Sequence, residues 1–186
     1  IRLLQQDGWR GENLGLALKS LHLEARVFDL KNKQIHLNQL ALEQPVFSIY
    51  NYDGKRPPVE RRPKTGIAPV NDPDKLRWNP GKWGLSINAL TIKDGGFRND
   101  VENGREPFYY FDGAHFVFGN INSRFENLTL INDTFSANVL IATKERSGFE
   151  VKQLKSKMKF HPEAMEFREL DIRTSKSRLR NFFAMR

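Results

Sequence analysis

The side chains of this chain best suited to metal binding or proton transfer are four histidines, His22, His36, His115 and His161. No two of them stand at the i,i+4 helix spacing or the close strand spacing that brings two imidazoles onto one metal ion. The chain has no cysteine, which excludes disulfides, thiol nucleophiles and thiolate metal ligands together. We therefore expect the histidines at the surface or at strand edges, and no metal site.

Other catalytic signatures are missing as well. The sequence contains no G-x-S-x-G elbow, P-loop or dinucleotide fingerprint, and Asp94-Gly95-Gly96 has the composition of a turn rather than of a phosphate cradle. Carboxylates mostly stand beside bases, as in Lys144-Glu145-Arg146 and Arg168-Glu169, which is typical of a solvated face of mixed charge. We expect no enzyme activity, no catalytic residue and no cofactor.

The elements that carry these residues are predicted to be β-strands. In Leu154-Lys155-Ser156-Lys157-Met158-Lys159-Phe160, one face is mostly apolar and the other is all lysine. Turn signals separate such stretches at Lys31-Asn32-Lys33, Asp94-Gly95-Gly96, Asn103-Gly104, Asp112-Gly113, Asn132-Asp133, Ser147-Gly148 and His161-Pro162. The chain is therefore predicted to be all-β, with one long, curved antiparallel sheet.

Residues 53–83 interrupt this pattern. Six of the nine prolines fall there among basic residues. Because proline cannot donate to a strand ladder, the segment is predicted to be a loop or flexible insertion, and a solvated linker suits it better than a binding site. Residues 1–52 and 84–186 are then two sheet segments of a single domain.

An apolar pattern, Φ-x-Φ-x-x-Φ-x-Φ with an aromatic residue seven positions after the third Φ, recurs five times. The copies begin at positions 16, 35, 85, 123 and 165, and Ser123 and Ser177 are the two departures from the pattern. Two apolar pairs with two residues between them cannot share one face of a regular strand. We therefore expect a bulge at the middle of each copy, which would curve the sheet into a trough.

The apolar face of this sheet is the candidate binding surface. Its lining candidates are Leu21, Leu23, Leu40, Leu42, Leu90, Ile92, Leu128, Leu130, Leu170 and Ile172. In a compact sandwich such a face would meet a second sheet, whereas in an open trough it would meet acyl chains or an unfolded strand. The pattern alone leaves both possibilities open.

The net charge of +8 suggests anionic partners, namely nucleic acid, an acidic protein or lipid phosphates. Nucleic acid is not expected, although basic residues stand near Phe182 and Phe183, because the positive charges alternate with apolar residues instead of gathering in one groove. No apolar run approaches the ~20 residues that a membrane-spanning helix needs.

Three stretches carry a resemblance to a known family. Glu145-Arg146-Ser147-Gly148-Phe149 and residues 170–179 resemble the recurring K-E-x-S-G-F and L-x-L-x-T-x-x-S-x-L segments of TamB proteins. Residues 85–97 resemble the L-x-I-x-x-L-x-I-x-D-G-x-F strand pairs of TamB and its AsmA relatives. The chain is most similar to the large versions found in Bacteroidota.

The resemblance implies a fragment of a much longer protein, which is anchored in the inner membrane through a segment not in this chain and spans the periplasm. It implies a taco-like groove that guides phospholipid acyl chains between the inner and outer membranes. It further implies a role in outer-membrane biogenesis with an outer-membrane barrel partner of the Omp85 type, besides contacts with the rest of its own chain. Two alternatives are a scaffold that assembles outer-membrane proteins or autotransporters by strand addition, and a compact carbohydrate-binding β-sandwich.

Overall fold

The structure, a computed structural model, describes residues 1–57, 77, 79–102 and 107–185. Eleven strands form one sheet in these ranges, and no helix occurs in them, so the predicted all-β class is confirmed. The strands are β1 (Arg2–Asp7), β2 (Glu12–Ala17), β3 (Ser20–Asp29), β4 (Gln34–Glu43), β5 (Val46–Asn51), β6 (Gly84–Val101), β7 (Phe116–Ile131), β8 (Thr134–Glu145), β9 (Glu150–His161), β10 (Ala164–Thr174) and β11 (Arg178–Met185).

Two sequence predictions concern residues outside the described ranges. Most of the proline-rich insertion (58–76 and 78) and the predicted turn at Asn103-Gly104 lie outside the described residues. Within the described part, no helix has the length and hydropathy that crossing a membrane requires.

The sheet runs in the order β1-β2-β5-β6-β7-β8-β9-β10-β11, while β4 pairs with the first half of β6 and carries β3 on its other side. Both β4 and β5 lie parallel to β6, and all other pairings are antiparallel. The prediction of a wholly antiparallel sheet is therefore wrong at this one place. Parallel neighbours need a long crossover connection, and residues 52–83 supply the length for it.

A strand break or a register change marks the predicted bend in four copies of the repeat, and in the third copy β6 bends in register with β4 and β7, since Leu85, Ile87 and Leu90 contact one core. The first copy is interrupted between β2 and β3, and in the second the register with β3 changes opposite Asn38. In the fourth and fifth copies the register shifts around Asn127 and Glu169, each with a φ of 52°. The third copy keeps the same register on both sides of Asn88.

A second line of backbone irregularities crosses the sheet nearer to the connection between β6 and β7. Three residues on this line have a positive φ: Gln44, between β4 and β5, with 48°; Asp94, in β6, with 52°; and Asn120, in β7, with 50°. The turn predicted at Asp94-Gly95-Gly96 is therefore wrong, because β6 continues through it as a bulge. A Cβ on Gly95 would stand only 2.8 Å from Ile92 Cγ2 and 3.3 Å from Ile121 Cβ, so the bulge requires glycine there.

The core is small and lies at the centre of the sheet. Leu37, Ile87, Leu128, Ala137 and Val139 are buried against one another on four strands, with exposed fractions of 3–7%. All described strands belong to one sheet, not to the two stacked sheets that the sandwich alternative requires. Because a flat single layer leaves its side chains accessible, burial of this degree indicates that the sheet curves around these residues.

Candidate functional site

The apolar face is built from cross-strand rows. Directly paired residues on neighbouring strands share a face of the sheet. Two rows, one through Ile92 and one through Leu130, cross eight strands without a charged side chain. The row that we call the Ile92 row consists of Leu21, Leu42, Ile92, Ser123, Ile141, Leu154, Ile172 and Leu179. Four of the ten predicted lining residues lie in this row.

Two further rows hold Leu23, Leu40, Leu90 and Leu130, whereas Leu128 pairs with Ile87 in the core and Leu170 pairs with Asn181. The second row runs from Leu23 through Leu40 and Leu90 to Phe125 and Val139. Another row, which includes Leu130, lies beyond the central line of bulges. The core contacts Leu40, Leu90 and Phe125 on one side of the central bulges. It also contacts Leu85 and Ile35 on the other side, so residues on both sides of the bulges lie on the same face of the sheet.

The ten predicted lining residues differ in accessibility. Leu128 and Leu170 are buried, with 7% and 5% of their surface exposed, so they pack the sheet instead of contacting a ligand. Leu21 and Leu23, on β3, are exposed by 45% and 42%. The other six are half-buried and remain accessible on the apolar face.

The repeat pattern missed the apolar residues contributed by strands that lack a copy of it. Ile141 on β8 and Leu154 on β9 continue the Ile92 row. A chain of rings adds to the face, since Phe135 lies 5.8 Å from Phe160, Phe160 5.5 Å from Phe167, and Phe167 6.0 Å from Phe183. The repeat pattern does not include Leu154 and Phe160, but the period-two alternation of β9 places both on an apolar strand face.

The opposite face is polar and mostly basic on the last strands. Lys155, Lys157 and Lys159 alternate with the inward residues of β9 and are exposed. On β10, Asp171 accepts hydrogen bonds from Arg178 Nε at 2.8 Å and from Arg173 Nη2 at 3.0 Å. These hydrogen bonds hold the pKa of Asp171 far below its ordinary value. The sheet is thus amphipathic, with an ionic network on the face away from the candidate site.

Glu145 corrects the expectation of a solvated Lys144-Glu145-Arg146 stretch. Only 1% of its surface is exposed. Its carboxylate accepts hydrogen bonds from Ser147 N at 2.6 Å and Val117 N at 3.1 Å. Burial raises the pKa of Glu145, but the hydrogen bonds from Ser147 and Val117 outweigh it and leave the pKa below its ordinary value. The residue holds the turn between β8 and β9 against β7, and its pairing with Phe118 places it at the end of the row that contains Phe97.

The histidines do not form a site. His115 is buried, with 8% of its surface exposed and its Nδ1 3.3 Å from Asp100 Oδ1, so the expectation of a surface position is wrong for it. His22 and His161 are exposed, and His36 Nδ1 lies 2.6 Å from Ser86 Oγ. Over the described ranges, no three His, Asp or Glu side chains are grouped closely enough to hold a metal ion.

The fold and this face together define a single-layer, amphipathic β-sheet with one open apolar surface. Comparison of the chain with models of protein families, with curated protein sequences and with solved structures gave no match. These comparisons neither support nor oppose the resemblance to TamB and AsmA proteins.

Proposed function

We propose that this chain is a non-enzymatic, periplasmic segment of a TamB/AsmA-like protein, which guides phospholipid between the inner and outer membranes by sheltering acyl chains on its apolar face. The observation that carries the proposal is the Ile92 row, which crosses eight strands with no charged side chain. The described strands offer no second sheet to cover that row.

The dimensions of the row suit an acyl chain. Eight strands at ~4.8 Å spacing extend over about 33 Å. The hydrocarbon core of a bilayer, which holds two leaflets of tails, is about 30 Å thick. One tail therefore fits along the row with room to move.

The energetics favour binding without a single tight site. Transfer of an acyl chain from water gains about 0.8 kcal/mol per buried methylene. Leu42, Ile92 and Ile172 are chemically similar and all half-buried, so these three positions offer a tail similar contacts. Such a surface allows a lipid to slide from one position to the next.

Photo-crosslinking tests the proposal directly. A photoreactive amino acid at Ile92 should capture phospholipid, whereas the same group at Thr91, on the opposite face of the same strand, should not. Phospholipid captured equally at the two positions, or at neither, would contradict the proposed function.

A second candidate function, strand addition to nascent outer-membrane proteins, is favoured by one observation. All eight residues of β11 are exposed, and among the described strands β11 pairs with β10 on one side only. Because this function needs backbone pairing, a proline in β11 should abolish it while Ile92→Asp leaves it intact. The opposite outcome favours lipid guidance.

A further inference from the structure

Four consecutive aromatic residues lie exposed in the connection between β6 and β7. The exposed fractions are 40% for Phe108, 99% for Tyr109, 65% for Tyr110 and 53% for Phe111. Soluble proteins rarely present a contiguous aromatic group of this kind to water, and such a group usually marks an interaction surface. We call Phe108–Phe111 the aromatic loop.

The aromatic loop has a defined conformation. Asp112 is 5% exposed, and its carboxylate accepts hydrogen bonds from Phe108 N at 3.2 Å and Ala114 N at 3.1 Å. The rings of Phe108 and Tyr110 stack with centroids 4.9 Å apart. The loop therefore presents its rings in a fixed arrangement, held by a buried carboxylate.

The loop is continuous with the apolar face. Phe111 stacks on Phe116 at 6.2 Å, Phe116 lies 5.5 Å from Phe97, and Phe97 stacks on Phe47 at 5.7 Å.

Phe97 lies on the same side of β6 as Ile92. A Cβ on Gly95 would point towards Ile92 and Ile121. Because Phe97 is two residues further along the strand, it lies on the same side. A path of aromatic rings thus leads from the loop to the row that we propose binds acyl chains.

We propose that the aromatic loop inserts into the interface of an anionic phospholipid bilayer, at the end of the apolar face where tails enter or leave. Tyrosine is enriched at membrane interfaces because its ring is apolar and its hydroxyl is polar. The net charge of +8 attracts the chain to an anionic surface. The assignment of this loop as a lipid portal rests on the proposed function of the apolar face.

Flotation with vesicles of phosphatidylethanolamine and phosphatidylglycerol tests the inference. The double variant Tyr109→Ser with Tyr110→Ser should bind these vesicles at least about tenfold more weakly than the unchanged chain, because it loses two interfacial rings. The matched control is Leu30→Ser with Ile131→Ser. Leu30 lies in the β3–β4 turn and Ile131 is the last residue of β7, both at the opposite end of the strands, and they are 58% and 60% exposed. The control should bind unchanged.

The fold should survive the double variant, since Tyr109 is fully exposed, and circular dichroism verifies this. Equal vesicle binding by the double variant and the unchanged chain, or equal loss in the control, would overturn the inference. So would an unchanged chain that fails to float with the vesicles. In each of these cases the photo-crosslinking experiment can be repeated with detergent-dispersed phospholipid. Capture by a photoreactive amino acid at Ile92 but not at Thr91 would still support the proposed function of the apolar face.

Discussion

Replacement of Glu145 by alanine removes the most deeply buried large side chain among the described residues and the two hydrogen bonds that its carboxylate accepts. A hydrogen bond to a charged group contributes roughly 1.5–3 kcal/mol to stability. The lower end of this range applies, because Ser147 lies in a half-buried turn where water reaches its freed N–H. We expect Glu145→Ala to lower the free energy of unfolding by about 3 kcal/mol.

Urea denaturation measures this loss. With an unfolding slope of about 2 kcal/mol/M, a loss of that size moves the midpoint down by about 1.5 M. Glu126→Gln is the matched control, since Glu126 pairs with Arg124 at the surface, and it should move the midpoint by less than about 0.5 M. Equal midpoints for the two variants would refute the account of Glu145 as a buried, hydrogen-bonded carboxylate.

The same residue predicts a pH dependence. Because the pKa of Glu145 in the folded chain lies below its ordinary value of 4.5, the carboxylate stabilises the fold fully above pH 4.5. That contribution disappears as the pH falls through the lowered pKa. The difference in stability between the unchanged chain and Glu145→Ala should therefore narrow on acidification below pH 4.5, as urea denaturation at a series of pH values would show.

Three further predictions concern the face, the end strand and the bulges. Ile92→Asp should weaken binding of a fluorescent fatty acid at least about tenfold and Thr91→Asp should not; equal binding would contradict the assignment of faces. Asp171→Asn breaks the pairing with Arg178 and should speed amide hydrogen exchange in β11 relative to β7, and unchanged exchange would show that the pair does not hold this strand. Asn127→Val places a β-branched residue at a φ of 52° and should cost about 1–2 kcal/mol by urea denaturation, whereas Val at exposed Asn88, which lacks a positive φ, should cost less.

The sequence predicted the fold class and the side of the sheet that is apolar, because strand alternation depends only on local residue order. It also predicted the bulges near Asn127 and Glu169, since two apolar pairs offset by two residues must be brought to one face. The parallel pairing of β4 and β5 with β6 could not be predicted in this way. It depends on where a long connection returns the chain, and no local pattern encodes that.

Two errors have a different physical cause. Asp94-Gly95-Gly96 has the composition of a turn, but the same preference for positive φ also suits a bulge, and only the neighbouring strands decide between the two. Glu145 stands between two bases in the sequence, which suggests a solvated side chain. Its burial follows from the approach of β7 to the β8–β9 turn, where two backbone N–H groups need an acceptor.

The two lines of bulges explain how a single layer can keep an apolar face in water. At the centre of the Ile92 row Ser123 is only 8% exposed, whereas Leu21 at one end is 45% exposed and Leu179 at the other is 55% exposed. Curvature thus buries the middle of the face against its own neighbours and leaves the end strands to gain most from a ligand. A flat sheet of the same composition would expose the whole row and pair with other sheets through it, whereas a closed sandwich would leave no space for a tail. The curved, half-open layer lies between these two arrangements, and it suits the transient lipid contact that we propose.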